Sequence, residues 1–80
     1  MMDWQYLGAV VGHAFSSTPS DNIDLSLSCC ILNNGEIVYQ VRYDNSSYHV
    51  SRNPSFGTKE LSAKFSHMIR LGNKTYYFNI

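Results

Sequence analysis

Two cysteines and three histidines are the residues from which a zinc site would be built in this chain. Cys29 and Cys30 are adjacent, whereas His13, His49 and His67 are far apart in the sequence. Structural zinc sites usually contain ligand pairs two to five residues apart. This spacing does not occur, so the sequence predicts no metal ion, and no other cofactor is indicated.

The same cysteines and histidines, with the many serines, could supply a nucleophile and its general base. Such catalysis needs a base oriented by a third group and a turn that presents the nucleophile. The sequence has no such turn motif, and Cys30 lies within a predicted strand. Ser26 and Ser28 alternate with leucines, which is typical of the solvent-facing side of a strand. We therefore predict that the protein is not an enzyme.

Tyrosines beside basic residues suggest a third chemistry, the stacking of unpaired nucleic-acid bases on a sheet. The chain has six tyrosines, and Arg42, Arg52 and Lys74 could contact phosphates. Six Lys and Arg residues are balanced by six Asp and Glu residues. A net charge of zero weakens the attraction to phosphates. Single-stranded nucleic-acid binding is therefore the alternative hypothesis rather than the leading one.

Residues 23–43 predict a β-hairpin, because apolar side chains alternate with polar ones on both arms. A two-residue turn at Asn34-Gly35 would pair apolar residues with polar ones, whereas a three-residue loop at 33–35 pairs apolar with apolar. A one-residue slip would move every side chain to the other face. We therefore predict the three-residue loop, with Gly35 at positive φ. The predicted pairs are Ile31 with Ile37, Cys29 with Tyr39, Leu27 with Val41, and Leu25 with Tyr43, which places Tyr39 and Tyr43 inward.

The N-terminal residues 5–15 predict a further strand, although Gly8 and Gly12 at helical spacing leave a helix open as an alternative. In the strand, the glycine-bearing side would mark either a close approach of another element or a bend. After the hairpin, residues 48–51 predict a short strand that extends the meander. The closing residues 75–80 alternate again, with Tyr76 inward and Tyr77 outward.

Residues 59–71 predict a helix. Thr58 is a suitable N-cap and Gly72 a suitable C-terminal residue. Leu61, Phe65, Met68 and Ile69 follow the spacing of one apolar helical face.

The predicted fold is therefore a single α+β domain over residues 1–80, with one helix packed on an antiparallel or mixed sheet of four to five strands. The element order is β-β-β-(β)-α-β. The face opposite the helix would be open to solvent or to a partner, and Cys30 would lie on it. We predict that a partner binds this face and its rim through Val38, Gln40, Arg42, His49, Arg52 and Tyr77.

The cellular setting follows from the cysteines and the termini. The side chains of adjacent cysteines point to opposite faces of a strand, so a disulfide between them would be strained and would not cross-link distant parts of the fold. This indicates a reducing compartment. The N-terminus lacks the features of a signal peptide, and no stretch approaches the length of a membrane span. The sequence therefore predicts a soluble cytoplasmic protein that does not contact a membrane.

The leading functional hypothesis is a small protein-binding inhibitor or adaptor that acts stoichiometrically. Tyr and Arg are enriched at the centres of protein interfaces, and 80 residues leave little room for both a core and an active site. An edge strand at residues 48–51 or 75–80 could also form a homodimer. A phage or mobile-element setting is expected from how often such small proteins occur there, not from particular residues.

Overall fold

The structure is a computed structural model that describes residues 3–15, 20–52 and 64–80, and the elements formed by these residues are all β-strands. They are β1 (Gln5–Ala14), β2 (Asp21–Ile31), β3 (Ile37–Tyr43), β4 (Ser46–His49), β5 (Ser51–Arg52), β6 (His67–Leu71) and β7 (Lys74–Phe78). They form one antiparallel sheet in the order β4-β3-β2-β1-β7-β6-β5.

The sheet curls so strongly that its two edge strands, β4 and β5, are consecutive in the chain. β4 and β5 stand at opposite ends of the strand order, yet Val50 alone separates them in the sequence. The extended stretch 46–52 therefore pairs with β3 through its first half and with β6 through its second half. The result is a nearly closed up-and-down barrel, an architecture that protects strand edges from pairing with other chains.

The core fills the barrel interior with side chains from β1, β2, β3, β6 and β7. Its buried members are Ala14, Leu25, Leu27, Val41, Ile69, Tyr76 and Phe78. β1 contributes small residues because two other strands approach it closely. A Cβ atom on Gly12 would lie 3.0 Å from Leu25 Cδ1 and 3.2 Å from Tyr76 Cβ. The predicted close approach at the glycine-bearing side is confirmed.

The register of the predicted hairpin is confirmed at three of its four predicted pairs, and the ladder ends at Ser26 and Arg42, before the fourth pair of Leu25 with Tyr43. Ile31 lies opposite Ile37, Cys29 opposite Tyr39 and Leu27 opposite Val41. The amide of Gly35 donates to the Leu32 carbonyl at 2.9 Å, which closes the turn, and Gly35 has a φ of 86°. The loop therefore has three residues, as the apolar pairing required.

β1 is a strand and not a helix, and its other glycine marks an irregularity. The register with β2 shifts between Tyr6 and Gly8, so Leu7 is an extra residue in the ladder. Gly8 has a φ of 137°, which side-chain-bearing residues rarely adopt. The bulge leaves Leu7 exposed.

The predicted α+β class is wrong, because the C-terminal part of the proposed helix, residues 67–71, forms a strand. Residues 67–71 are β6, which pairs with β7 along its whole length. Leu71 lies opposite Lys74, so Gly72 and Asn73 form a two-residue turn, with Gly72 at a φ of 62°. Glycine at the first central position suits this kind of hairpin turn. Residues 59–63 of the predicted helix and its predicted N-cap, Thr58, lie outside the described residues.

The predicted apolar helical face was also compatible with a strand. In β6, Ile69 is buried and its outward neighbour Arg70 is exposed. The barrel needs this strand because it connects β7 to β5, and strand pairing satisfies the backbone polar groups of three elements at once.

Several predicted orientations are corrected by barrel curvature and neighbouring residues. Tyr43, predicted inward, is 38% exposed at the end of β3, whereas Tyr76 is buried as predicted. Cys30, predicted on the open face, is buried. Residues 75–80 do not form the predicted edge strand, because β7 has a neighbouring strand on each side, β1 and β6. Within the described ranges, no helix has the length and apolar character needed to cross a membrane.

Candidate functional site

The structure does not bring all of the predicted partner-binding residues together on one surface. Val38, His49 and Arg52 line one cleft. Gln40 lies half-buried opposite His49 on the neighbouring strand. Arg42 belongs to a separate depression, and Tyr77 lies beneath other rings.

The cleft is located where the stretch 46–52 leaves β3 to join β6. β3 and β4 pair from Tyr43 to Gln40, and the amide of Val50 then donates to the Tyr39 carbonyl at 3.3 Å. Beyond this point the chain diverges from β3. The resulting fork has a volume of about 690 Å³ and is lined by residues 35–39, His49, Val50, Arg52 and His67.

Backbone groups as well as side chains face this fork. Among the described residues, no strand pairs with Ile37 and Val38 on the side away from β2. The side chain of Ile37 is 49% exposed, and its cross-strand neighbour Ile31 is 67% exposed. Within the described residues, the cleft therefore combines a stretch of β3 backbone that has no strand partner on this side with an apolar rim.

His67 forms part of the cleft wall and is held by rings on two sides. Its ring meets Tyr39 edge-on with centroids 5.6 Å apart and stacks near Phe78 at 6.3 Å. Its Nδ1 atom hydrogen-bonds the Ser66 hydroxyl at 2.6 Å. Ser66 in turn accepts a hydrogen bond from the amide of Ile80, which ties the start of β6 to the C-terminal residues.

The electrostatics of the cleft are set by one fixed cation, one carboxylate and two histidines. Arg52 lies directly opposite His67 in the β5–β6 ladder. Burial lowers the pKa of His67 below its usual 6.5, and the nearby Arg52 charge lowers it further. Glu36 and His49 also line the cleft.

Sequence reasoning missed His67 because the predicted helix placed it outside the sheet. A signal for its position was present in the Gly72-Asn73 pair. Apolar residues alternate on both sides of this pair, and glycine with asparagine between alternating arms is typical of a hairpin.

A second depression lies on the outer face of the sheet and contains Arg42. It has a volume of about 550 Å³ and is lined by Tyr6, Ser26, Ser28 and residues 42–45. Tyr6 is 64% exposed. This depression places two accessible tyrosines beside one arginine.

Tyr77 points outward as predicted, but an aromatic cluster covers it. Its ring lies 6.3 Å from Phe15 and 6.1 Å from Phe65, and His13 packs against both phenylalanines. Tyr77 is consequently only 8% exposed, so it offers little surface to a partner while the cluster stays packed.

A further polar group connects β2 to β7. Asp21 Oδ2 accepts hydrogen bonds from the Tyr76 hydroxyl at 2.7 Å and from Lys74 Nζ at 3.2 Å. The tyrosine hydroxyl and then the lysine lower the pKa of Asp21, and the carboxylate raises the pKa of Tyr76 to about 12. This arrangement is a structural connection between strands.

In the part of the chain that the structure describes, no group of three or more His, Cys, Asp or Glu side chains could hold a metal ion. Cys29 and Cys30 are both free thiols. A scan of protein-family models, a search of curated proteins and a search of solved structures each found no significant match to this chain.

Proposed function

We propose that the protein is a non-catalytic binding protein whose partner is another protein, and that it acts stoichiometrically as an inhibitor or adaptor. The observation that carries the proposal is the exposed pair Ile31 and Ile37 at the rim of the cleft. Exposed apolar groups of this kind, next to a concave surface, are typical of protein interaction sites. Val38, His49 and Arg52 are the proposed contacts inside the cleft.

The open backbone edge supports an extended partner segment in particular. A peptide strand added beside Ile37 and Val38 would pair with backbone groups that have no strand partner among the described residues. Main-chain hydrogen bonds then supply affinity, and alternate side chains enter the cleft.

We place this function in a reducing, cytoplasmic environment. The support is that Cys29 and Cys30 are adjacent free thiols, and Cys30 is buried. Neither cysteine cross-links the barrel through a disulfide bond, whereas small secreted domains commonly depend on such bonds.

The proposal is tested with a double variant, Ile31→Ser with Ile37→Ser. Affinity capture from the native host, followed by mass spectrometry, identifies the partner, and calorimetry measures its affinity for the purified protein. We expect the double variant to bind at least about tenfold more weakly, since each truncation removes ~1 kcal/mol or more of apolar contact.

The matched control is Leu7→Ser with Val11→Ser, two exposed apolar residues on β1 that are 47% and 45% exposed. This control should bind normally. Equal losses for both double variants, or no loss for the rim variant, would refute the cleft as the binding surface.

A second copy of the chain could also occupy the open edge of β3. Sedimentation of the purified protein over a range of concentrations distinguishes the two occupants. A homodimer that the Ile31→Ser/Ile37→Ser variant dissociates would identify the partner as the chain itself.

Single-stranded nucleic-acid binding is the second candidate, and the outer depression favours it. Tyr6 and Tyr43 are exposed there beside Arg42, and exposed aromatic rings near a cation can stack bases. This candidate predicts oligonucleotide binding that falls steeply with salt and is lost in Tyr6→Ala. A flat fluorescence titration at low salt would eliminate it.

A further inference from the structure

We infer that the partner segment in the cleft is acidic, with a carboxylate placed against Arg52 and His67. This inference rests on the proposed function, because it names the chemistry of the segment that the cleft would bind.

The first argument is the geometry of the two basic side chains. Arg52 and His67 are direct cross-strand partners, and side chains at such positions share one face of the sheet. Arg52 is exposed, and no hydrogen bond or ion pair joins it to another residue of the described part. Its guanidinium is therefore available to bind a carboxylate with two parallel hydrogen bonds.

The second argument is that His67 is positioned before any ligand arrives. Tyr39 and Phe78 pack against the His67 ring, and the Ser66 hydroxyl forms a hydrogen bond with its Nδ1 atom. The Nε2 atom has no hydrogen-bond partner within the described ranges. A ring fixed in this way loses little conformational freedom when it donates to a ligand.

The third argument is charge. Arg52 is the cation of the cleft, and Glu36 is its carboxylate. No ion pair joins Glu36 to Arg52 among the described residues. A bound carboxylate would thus complement Arg52, while Glu36 would weaken its binding.

Binding of such a segment is coupled to protonation of His67. Burial and Arg52 together favour the neutral ring in the free protein. A carboxylate in contact would favour the charged ring and raise the pKa of His67. Because linkage is reciprocal, the acidic segment should bind more tightly as the pH falls. His49, Tyr39 and Glu36 line the same cleft. The test must therefore distinguish their effects on the pH dependence from the effect of His67.

The experiment uses three short peptides that alternate valine with glutamate, with glutamine or with lysine, and measures their binding by fluorescence anisotropy. We expect the glutamate peptide to bind most tightly. Arg52→Gln should weaken it roughly five- to tenfold, a size expected for one accessible charged contact. Glu36→Gln should strengthen it. Arg70→Gln, a charge-matched change on the outer side of β6, should have no effect.

The pH arm compares His67→Gln with His49→Gln. The wild-type protein and His49→Gln should bind the glutamate peptide more tightly at pH 5.5 than at pH 8, whereas His67→Gln should lose most of this gain. In NMR titrations, the pKa of His67 should rise when the peptide is added, a change that a purely structural role would not produce.

Equal binding of the glutamate and glutamine peptides, failure of all three peptides to bind, or an Arg52→Gln variant with normal affinity would overturn the inference. None of these results bears on the proposed function, which is tested by whether the Ile31→Ser/Ile37→Ser variant binds the native partner more weakly. Conversely, normal partner binding by that variant removes the proposed function, whatever the peptides do.

Discussion

At the scale of single residues, Gly12 allows three strands to meet inside the barrel. Its missing side chain leaves room for Leu25 of β2 and Tyr76 of β7. Protein interiors are packed as densely as organic crystals, so an added side chain there has no void to fill. The glycine is thus a packing requirement rather than a turn residue.

We predict that Gly12→Val destabilises the protein by about 2 kcal/mol or more, because overpacking of a dense core forces neighbours to move. The Leu25 methyl can adjust, but the Tyr76 Cβ is fixed to the β7 backbone. Urea denaturation checks the change in the free energy of unfolding. Ala9→Val, on the exposed side of the same strand, should alter it by less than ~0.5 kcal/mol. Similar effects of the two substitutions would contradict the packing argument.

The carboxylate of Asp21 makes the stability of the barrel sensitive to acid. Its folded-state pKa is lowered from 3.8, first by the Tyr76 hydroxyl and then by Lys74. A lowered pKa means that the stabilisation is complete above the unfolded-state value and is lost as the pH falls through the folded-state value. We therefore expect Asp21→Asn to be less stable than the wild type at pH 6.

This difference should shrink as the pH falls below 3.8, and denaturation curves at pH 6 and pH 3 would measure it. Tyr76→Phe keeps the core ring but removes the hydrogen bond, so it should reduce the acid sensitivity without abolishing it. A constant difference between Asp21→Asn and the wild type across this range would show that Asp21 does not act through its charge.

At the scale of elements, the β2–β3 hairpin demonstrates how a local turn fixes a register. Gly35 at a φ of 86° completes the three-residue loop, and the Asn34 side chain accepts from the Glu36 amide at 2.9 Å. The loop brings Ile31 and Ile37 side by side at the cleft rim. The turn therefore helps to build the proposed binding surface.

We predict that Gly35→Val costs about 1–2 kcal/mol, because a branched side chain disfavours positive φ, and that Gly35→Asn costs less. Chemical denaturation measures both. Space is not the reason, since no atom lies within 4 Å of a Cβ at this position. Equal stability of the valine and asparagine variants would contradict the assigned backbone conformation.

At the scale of the whole molecule, the barrel has a continuous side and a forked side. β2 pairs with β1 and β3 over most of its length, whereas β5 pairs with β6 through two residues. Local opening is easiest where few hydrogen bonds and few apolar contacts must be broken. The fork is therefore one of the places where we expect the sheet to open most easily.

Hydrogen exchange should reveal this asymmetry. We predict the slowest amide exchange at residues 25–29 in β2 and the fastest strand exchange at residues 46–52. A bound partner segment should slow exchange at residues 37–38 and 49–52 specifically. Uniform protection around the barrel in the free protein would argue against the fork as a point of opening.

Much of the barrel follows from local patterns in the sequence. The alternation in residues 23–43 determined the hairpin register, because only one pairing puts all the apolar side chains on one face. The valines of residues 5–15 favoured a strand, whereas the spacing of Gly8 and Gly12 left a helix open, and the pairing with β2 decides for the strand. Val38, His49 and Arg52 are candidate contacts on the sequence alone, whereas their proximity comes from the fold.

The tertiary structure alone decided the identity of β6 and therefore the fold class. Residues 67–71 carry apolar spacing compatible with either a helix or a strand, and only pairing with β7 and β5 selects the strand. It also brought His67 beside Arg52 and buried Tyr77 beneath Phe15 and Phe65. Barrel closure joins residues that are distant in the sequence, and the energy of those contacts outweighs weak local preferences.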